Sequence, residues 1–120
     1  MHHSFTSLAI LIPVLNPNQK TLDLVLELSN FQWNEIVIVN DGSSIESQIF
    51  FDKINKIENI KILNHSSNQG KGAALKTGID YLNDKRIELD GLITVDSDGQ
   101  HLIKDIIKIA KEVKNRKNDI

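Results

Sequence analysis

Glu35-Ile36-Val37-Ile38-Val39-Asn40-Asp41-Gly42-Ser43 is the stretch that decides the fold class. An acidic residue opens four consecutive β-branched apolar residues, and a cluster of turn formers stops them. A continuous apolar run leaves no residue for a solvent face, so it reads as a strand buried on both faces. Asn, Asp and Gly end it because they tolerate turn geometry. The same design recurs on either side. Leu8-Ala9-Ile10-Leu11-Ile12-Pro13 precedes it, Ile60 to Leu63 follows, and Gly91-Leu92-Ile93-Thr94-Val95 runs into Asp96-Ser97-Asp98-Gly99. Helical stripes fill the gaps. Thr21 to Ser29 carries Leu22, Val25, Leu26 and Leu28. Ile45 to Lys56 has Ser43 or Ser44 as its expected N-cap and Ile49, Phe50, Ile54 and Ile57 on one side. Ala73 to Asn83 and a final stripe of Ile103, Ile106, Ile107, Ala110 and Val113 complete the series. The alternation β-α-β-α-β-α-β-α predicts an α/β fold, with a mostly parallel sheet, helices on both faces and right-handed crossovers.

Length and composition bound the rest. The chain has 120 residues, 40% hydrophobic and 25% charged, with no linker and no repeat, so one domain spanning 1–120 is expected. It has no cysteine, which excludes a disulfide scaffold, a thiolate metal site and a Cys nucleophile. Fourteen basic residues against 16 acidic ones give a net charge of −2, so no nucleic-acid partner is expected from bulk charge. The longest apolar run, Leu8 to Leu15, contains Pro13 and falls far short of the roughly 20 residues that span a bilayer. No basic segment precedes it to make a signal peptide. The expected location is cytoplasmic.

Ligands of an open α/β sheet bind outside the carboxyl ends of the strands. Pro13 and Asn16 follow the first expected strand, and Asn40, Asp41, Gly42 and Ser43 follow the second. Asn68, Gly70, Lys71 and Gly72 come one loop after the third, and Asp96, Asp98, Gln100 and His101 follow the fourth. Small, acidic and amide residues therefore gather at one edge, which predicts a polar ligand. Asp96 and Asp98 stand two apart just past a buried strand, where both carboxylates can turn toward one point. Two hard oxygen ligands suit Mg²⁺ or Mn²⁺, which keep waters and share phosphate oxygens. His101 is a further candidate ligand. The competing reading is an Asx-turn that caps the last helix. An EF-hand loop from Asp96 fails, because His101 and Ile107 stand where Gly and Glu are required. Gly70-Lys71-Gly72 is no Walker A loop, since Gly72 replaces the Ser or Thr and His65 the first Gly. A glycine pair with Lys at a helix start can still hold an anion, or simply form a tight loop with a solvated Lys. Asp41 sits where nucleotide-binding α/β domains place a carboxylate on ribose or base.

Four motifs in order carry a family resemblance: Ile12-Pro13-Val14 with Asn16; Ile38-Val39-Asn40-Asp41-Gly42-Ser43; Asn68 through Gly78; and Val95-Asp96-Ser97-Asp98-Gly99-Gln100-His101. Together, over Leu8 to about Lys114, they resemble family 2 glycosyltransferases of the Rossmann-like, three-layer GT-A fold. The closest pattern is that of dolichyl- and polyprenyl-phosphate sugar transferases. The resemblance implies inverting, metal-assisted sugar transfer from a UDP- or GDP-sugar to a polyprenyl phosphate or glycan. It places Pro13, Asn16, Asp41, Gly70, Lys71 and Asp96 at the nucleotide-sugar, and Asp98 with Asp96 and His101 at Mg²⁺ or Mn²⁺. Two positions depart from the family pattern: Pro17 stands where Glu is common, and Leu102-Ile103 where a polar residue and Pro are common. The family's acceptor-binding half follows the Asp-x-Asp helix, so the general base is expected beyond Ile120. This implies a nucleotide-sugar-binding part, with a catalytically inactive truncated module as the alternative. It also implies self-association of such a fragment and peripheral membrane association, at the inner face, for a full-length protein.

Overall fold

The structure is a computed structural model that describes residues 4–85, 88–98 and 103–118. Among these residues four strands form one sheet, all in parallel register. They are β1 (Ser4–Val14), β2 (Gln32–Asp41), β3 (Ile60–His65) and β4 (Gly91–Thr94), in the spatial order β3-β2-β1-β4. The helices between them are α1 (Gln19–Leu28), α2 (Gln48–Ile54), α3 (Lys71–Asp84) and α4 (Ile103–Asn118). The three layers of the expected α/β architecture are all present.

Strand alternation builds the layers. Leu8, Ile10, Ile12 and Val14 of β1 point to one face, with Ile36 and Ile38 of β2 beside them. Leu22, Val25 and Leu28 of α1, Phe51 and Ile54 of α2, and Ile106, Ile107 and Ala110 of α4 cover that face. Ala9, Leu11, Val37 and Val39 point the other way, onto Ala74 and Leu82 of α3. Ile10, Leu11, Ile12, Val37, Ile38 and Val39 are wholly buried, as an apolar run in a parallel sheet requires. On the α3 side the layers approach closely. A Cβ on Gly78 would overlap the Leu11 side chain, so glycine lets the helix lie flat on the sheet.

Three local features differ from the sequence expectations. First, β1 starts at Ser4 rather than Leu8. Phe5 pairs with Trp33 across an irregular register and stacks on its ring at a centroid distance of 5.0 Å. The Trp33 indole N–H donates to the Leu28 carbonyl at the end of α1, 2.8 Å away. Second, the expected helix from Ile45 is a 3-10 turn (Ile45–Ser47) followed by the short α2, and Ser44 at its start makes no side-chain cap bond. Third, Ile49 is exposed; Phe51 and Ile54 are the buried residues, with Phe50 and Ile57 packed at their edge. The N-terminus of α1 is closed reciprocally. Asn18 Oδ1 accepts from the Thr21 N–H, and Thr21 Oγ1 accepts from the Asn18 N–H.

Candidate functional site

The carboxyl ends of β1, β2 and β4 open on a cleft of about 430 Å³. Pro13 and Val14 line it from β1 and Leu15 from just beyond, Asp41 from β2, Asn68 and Gly70 from the loop before α3, and Lys71 from the first position of α3. Asp96, Ser97 and Asp98 complete it beyond β4. Six of the sequence-predicted residues therefore meet: Pro13, Asp41, Gly70, Lys71, Asp96 and Asp98. Asn16 stands apart from the lining. It adopts a left-handed backbone at φ 52°, which Asn tolerates. Its side-chain oxygen accepts from the Ser44 N–H and its own N–H donates to Ser43 Oγ, both at 2.8 Å, so it clamps the β1 exit to the β2 exit. His101 lies outside the described residues.

Asp41 is the most constrained group in the cleft. It is 4% exposed. Its Oδ1 accepts from the Gln69 N–H at 2.9 Å and faces His65 Nδ1 at 2.8 Å, and its Oδ2 accepts from the Gly70 N–H at 2.9 Å. The His65 contact and these two amides hold its pKa below the ordinary 3.8, against burial, which acts the other way. Asp41 is thus an ionised acceptor that ties the end of β2 to the glycine loop. Gly42 makes this approach feasible. It has φ +73°, and a Cβ there would run into the backbone of Ser67 and Asn68.

The sequence reading assigned His65 no function. It ends β3 directly opposite Asp41 in the parallel register, and its Nε2 lies 2.8 Å from Thr77 Oγ1 on α3. Carboxylate, imidazole and hydroxyl in line copy the order of a hydrolytic triad. Nucleophilic chemistry does not fit, however. Thr77 Oγ1 donates to the Ala73 carbonyl at 3.0 Å, and neither His65 nor Thr77 lines the cleft. The only sequence signal for His65 was a polar residue closing a strand whose neighbour ends in Asp.

The other side of the cleft is more open. Lys71 Nζ donates to Asp96 Oδ1 at 2.6 Å, with the two side chains 62% and 39% exposed. A pair that wet contributes little to stability and exchanges partners readily. The loop that carries Asp96 and Asp98 is held from beneath. The Val95 N–H donates to the Leu11 carbonyl, and Thr21 Oγ1 donates to the Ser97 carbonyl at 3.1 Å. The two carboxylates sit two residues apart on a pinned turn, and both face the cleft. No cluster of three His, Cys, Asp or Glu side chains arranged to hold a metal ion occurs among the described residues. The donor set fits a hard cation that takes its remaining ligands from water and phosphate, and it does not fit a closed protein cage.

Comparison with known proteins now adds to this geometry. The family described as Glycosyl transferase family 2 matches residues 9–120. The UDP-N-acetylglucosamine–dolichyl-phosphate N-acetylglucosaminyltransferase of Methanococcus voltae is 30% identical over 121 residues, covering 88% of this chain and 47% of that protein. This chain spans less than half the length of the curated relatives it matches. S. aureus TarS 1-349 in complex with UDP-GlcNAc superposes with a TM-score of 0.62 at 22% identity, covering 88% of this chain and 31% of that one. The mannosyltransferase PcManGT from Pyrobaculum calidifontis, in complex with GDP-Man and Mn²⁺, superposes with a TM-score of 0.57 at 14% identity, covering 77% and 27%. These two likenesses establish the shared GT-A fold.

Proposed function

This chain belongs to glycosyl transferase family 2, and from that premise we propose that its cleft binds the nucleoside-diphosphate part of a sugar donor. The observation that carries the reading is the meeting of Asp41, Lys71, Asp96 and Asp98 around one cleft at the carboxyl edge of a parallel sheet. Asp41 can only accept hydrogen bonds, so it takes an N–H or O–H of the base or ribose. Lys71 supplies a mobile ammonium for a diphosphate oxygen, and the Gly70 turn lets the backbone come close. An Mg²⁺ or Mn²⁺ ion held by Asp98 and Asp96 would neutralise charge on the departing nucleoside diphosphate. The Mn²⁺ in the complex of the similarly folded mannosyltransferase supports that choice of cation.

The reaction we assign to the whole protein is transfer of the sugar with inversion. The acceptor attacks the anomeric carbon from the face opposite the diphosphate. A polyprenyl phosphate is the favoured acceptor, since the Methanococcus voltae relative is named for a dolichyl-phosphate acceptor. A lipid-linked acceptor also supports work at the cytoplasmic surface of a membrane; among the described residues no helix is long and apolar enough to cross one. Titration calorimetry tests the reading. UDP or GDP is expected to bind in the presence of Mn²⁺, and Asp98→Ala to abolish the metal-dependent component. Absence of binding by both nucleotides, or binding unchanged in Asp98→Ala, refutes it.

A further inference from the structure

We propose that Thr21 is a positioning residue for the cation: from the first turn of α1 it holds the backbone between Asp96 and Asp98, and so governs how well the two carboxylates share one ion. The inference rests on the cation-assisted nucleotide reading for its consequence; the holding contact stands on the hydrogen bonds themselves. Thr21 is not part of the cleft lining and is only 2% exposed. Its Oγ1 lies 3.1 Å from the Ser97 carbonyl, 76 positions along the chain. Of these two groups only the hydroxyl can donate, so the bond has one sense. The same oxygen accepts from the Asn18 N–H at 3.2 Å. The competing acceptor for the hydroxyl is Asn18 Oδ1, which is farther away at 3.5 Å and already takes the Thr21 N–H. The hydroxyl hydrogen therefore belongs to Ser97.

Ser97 is the residue between the two carboxylates, so what fixes its carbonyl fixes the span between them. β4 ends at Thr94, and the Val95 N–H bonds the Leu11 carbonyl of β1. Two residues later Thr21 ties the chain to α1. That helix is itself anchored, because Leu22, Val25 and Leu28 are buried in the core. The turn is thus held from the sheet on one side and from α1 on the other. The cleft side chains do not replace this support, since the Lys71–Asp96 pair is 62% and 39% exposed and exchanges readily. On a loose turn, an arriving cation would have to order the two carboxylates, and affinity would fall by that entropy. On a held turn the ordering is complete when the chain folds, which is how rigid elements sharpen a site.

The test compares variants that damage one cap in two ways. Thr21→Val keeps the side-chain shape but loses both the bond to Ser97 and the acceptor for the Asn18 N–H. Asn18→Ala opens the same cap and leaves Thr21 on Ser97. Thr21→Ser keeps both bonds. Mn²⁺ is titrated calorimetrically, alone and with UDP or GDP. Thr21→Val should weaken Mn²⁺ binding about tenfold, as expected when a contact that orients the ligands is lost. Asn18→Ala should stay close to wild type, and Thr21→Ser should restore wild-type affinity. A merely structural threonine would make Thr21→Val and Asn18→Ala alike. NMR relaxation of the metal-free chain gives a second readout: the Ser97 and Asp98 amides should gain mobility in Thr21→Val and not in Asn18→Ala. The coupling also runs backwards in the unsubstituted chain, so Mg²⁺ with UDP or GDP should shift the Asn18 amide together with those of Ser97 and Asp98. Unchanged Mn²⁺ affinity in Thr21→Val, equal weakening in Asn18→Ala, or an Asn18 amide indifferent to bound Mg²⁺ overturns the proposal. A wild-type chain that binds no Mn²⁺, with or without nucleotide, overturns the cation reading instead. The metal-free amides then decide the holding contact alone, and equal rigidity in Thr21→Val and wild type overturns it.

Discussion

Alanine placed at Gly42, Gly70 and Gly72 in turn is expected to give three different results, although all three flank one loop. Two terms separate them. At Gly42 the backbone has φ +73°, and a Cβ would overlap the Ser67 and Asn68 backbone. The left-handed conformation costs an L-residue roughly 1–2 kcal/mol. Backbone cannot swing aside like the end of a side chain, so the overlap adds an overpacking cost of about 1–3 kcal/mol. Gly42→Ala should therefore lose roughly 2–5 kcal/mol, a large part of the total stability of a marginally stable domain. Gly70 shares the conformational term at φ +100° but meets nothing within 4 Å, so it should lose only about 1–2 kcal/mol. Gly72 also meets nothing within 4 Å and lies inside α3, so alanine there should be neutral or stabilise by up to about 1 kcal/mol. Near 2.1 cal/mol/K per residue, each kcal/mol moves the Tm of a chain this long by roughly 4 °C. Urea unfolding followed by circular dichroism, with Tm measured alongside, ranks the three variants. Equal losses for Gly42→Ala and Gly70→Ala would show that the approach of the loop to β2 carries no energy, and would refute the steric argument.

Three further outcomes follow from named contacts. Lys71→Ala should leave the unfolding midpoint almost unchanged, because its partner is an exposed carboxylate, while weakening UDP or GDP binding about tenfold through loss of a charge-assisted bond; paired calorimetry and melting measurements check it. Asn18→Ala should cost about 1 kcal/mol by opening the N-terminal cap of α1, read as a shift in the urea midpoint. The folded Asp41 carboxyl lies below its ordinary 3.8, so its contribution to stability is complete above that value and is lost as pH falls through the folded value. The wild-type unfolding free energy should therefore fall more steeply below about pH 4 than that of Asp41→Asn, and identical acid limbs would show that the His65 and amide bonds do not stabilise the ionised form.

The strands and their order of use were legible because a parallel sheet with helices on both faces writes itself as uninterrupted Ile, Val and Leu. The missed parts have a common cause. Phe5 belongs to β1 only because Trp33 lies opposite it, and such a pairing is invisible until the register is known. Ile45 and Ile49 imitate a buried helical stripe, yet the chain leaves β2 through a 3-10 turn that rotates Phe51 inward and leaves both isoleucines in solvent. At the site, residue type and position after a strand gathered Pro13, Asp41, Gly70, Lys71, Asp96 and Asp98 correctly into one place. Asn16 follows the same logic in sequence, but its left-handed turn directs it to Ser43 and Ser44. His65 needed the register of β2 with β3 before its partner could be seen.

The charges in the cleft argue for an order of binding. Asp41, Asp96 and Asp98 bring three carboxylates to the lining, and Lys71 is the one cation among the described lining residues. Its charge is directed at Asp96. A diphosphate that approaches this surface alone meets a net negative wall and must break the Lys71–Asp96 pair. A divalent cation held by Asp96 and Asp98 would cancel the net charge of the lining and compete with Lys71 for Asp96, which would free the ammonium for a phosphate. Nucleotide binding is therefore expected to require the cation and not merely to be improved by it. With Lys71→Ala the requirement should persist, because the wall becomes more negative. With Asp96→Asn some nucleotide should bind without metal, since one negative charge is gone and Lys71 is no longer held by a full charge. Calorimetry in chelator decides the point: equal nucleotide affinity in chelator and in Mg²⁺ for the wild-type chain would show that the lining charge does not govern entry.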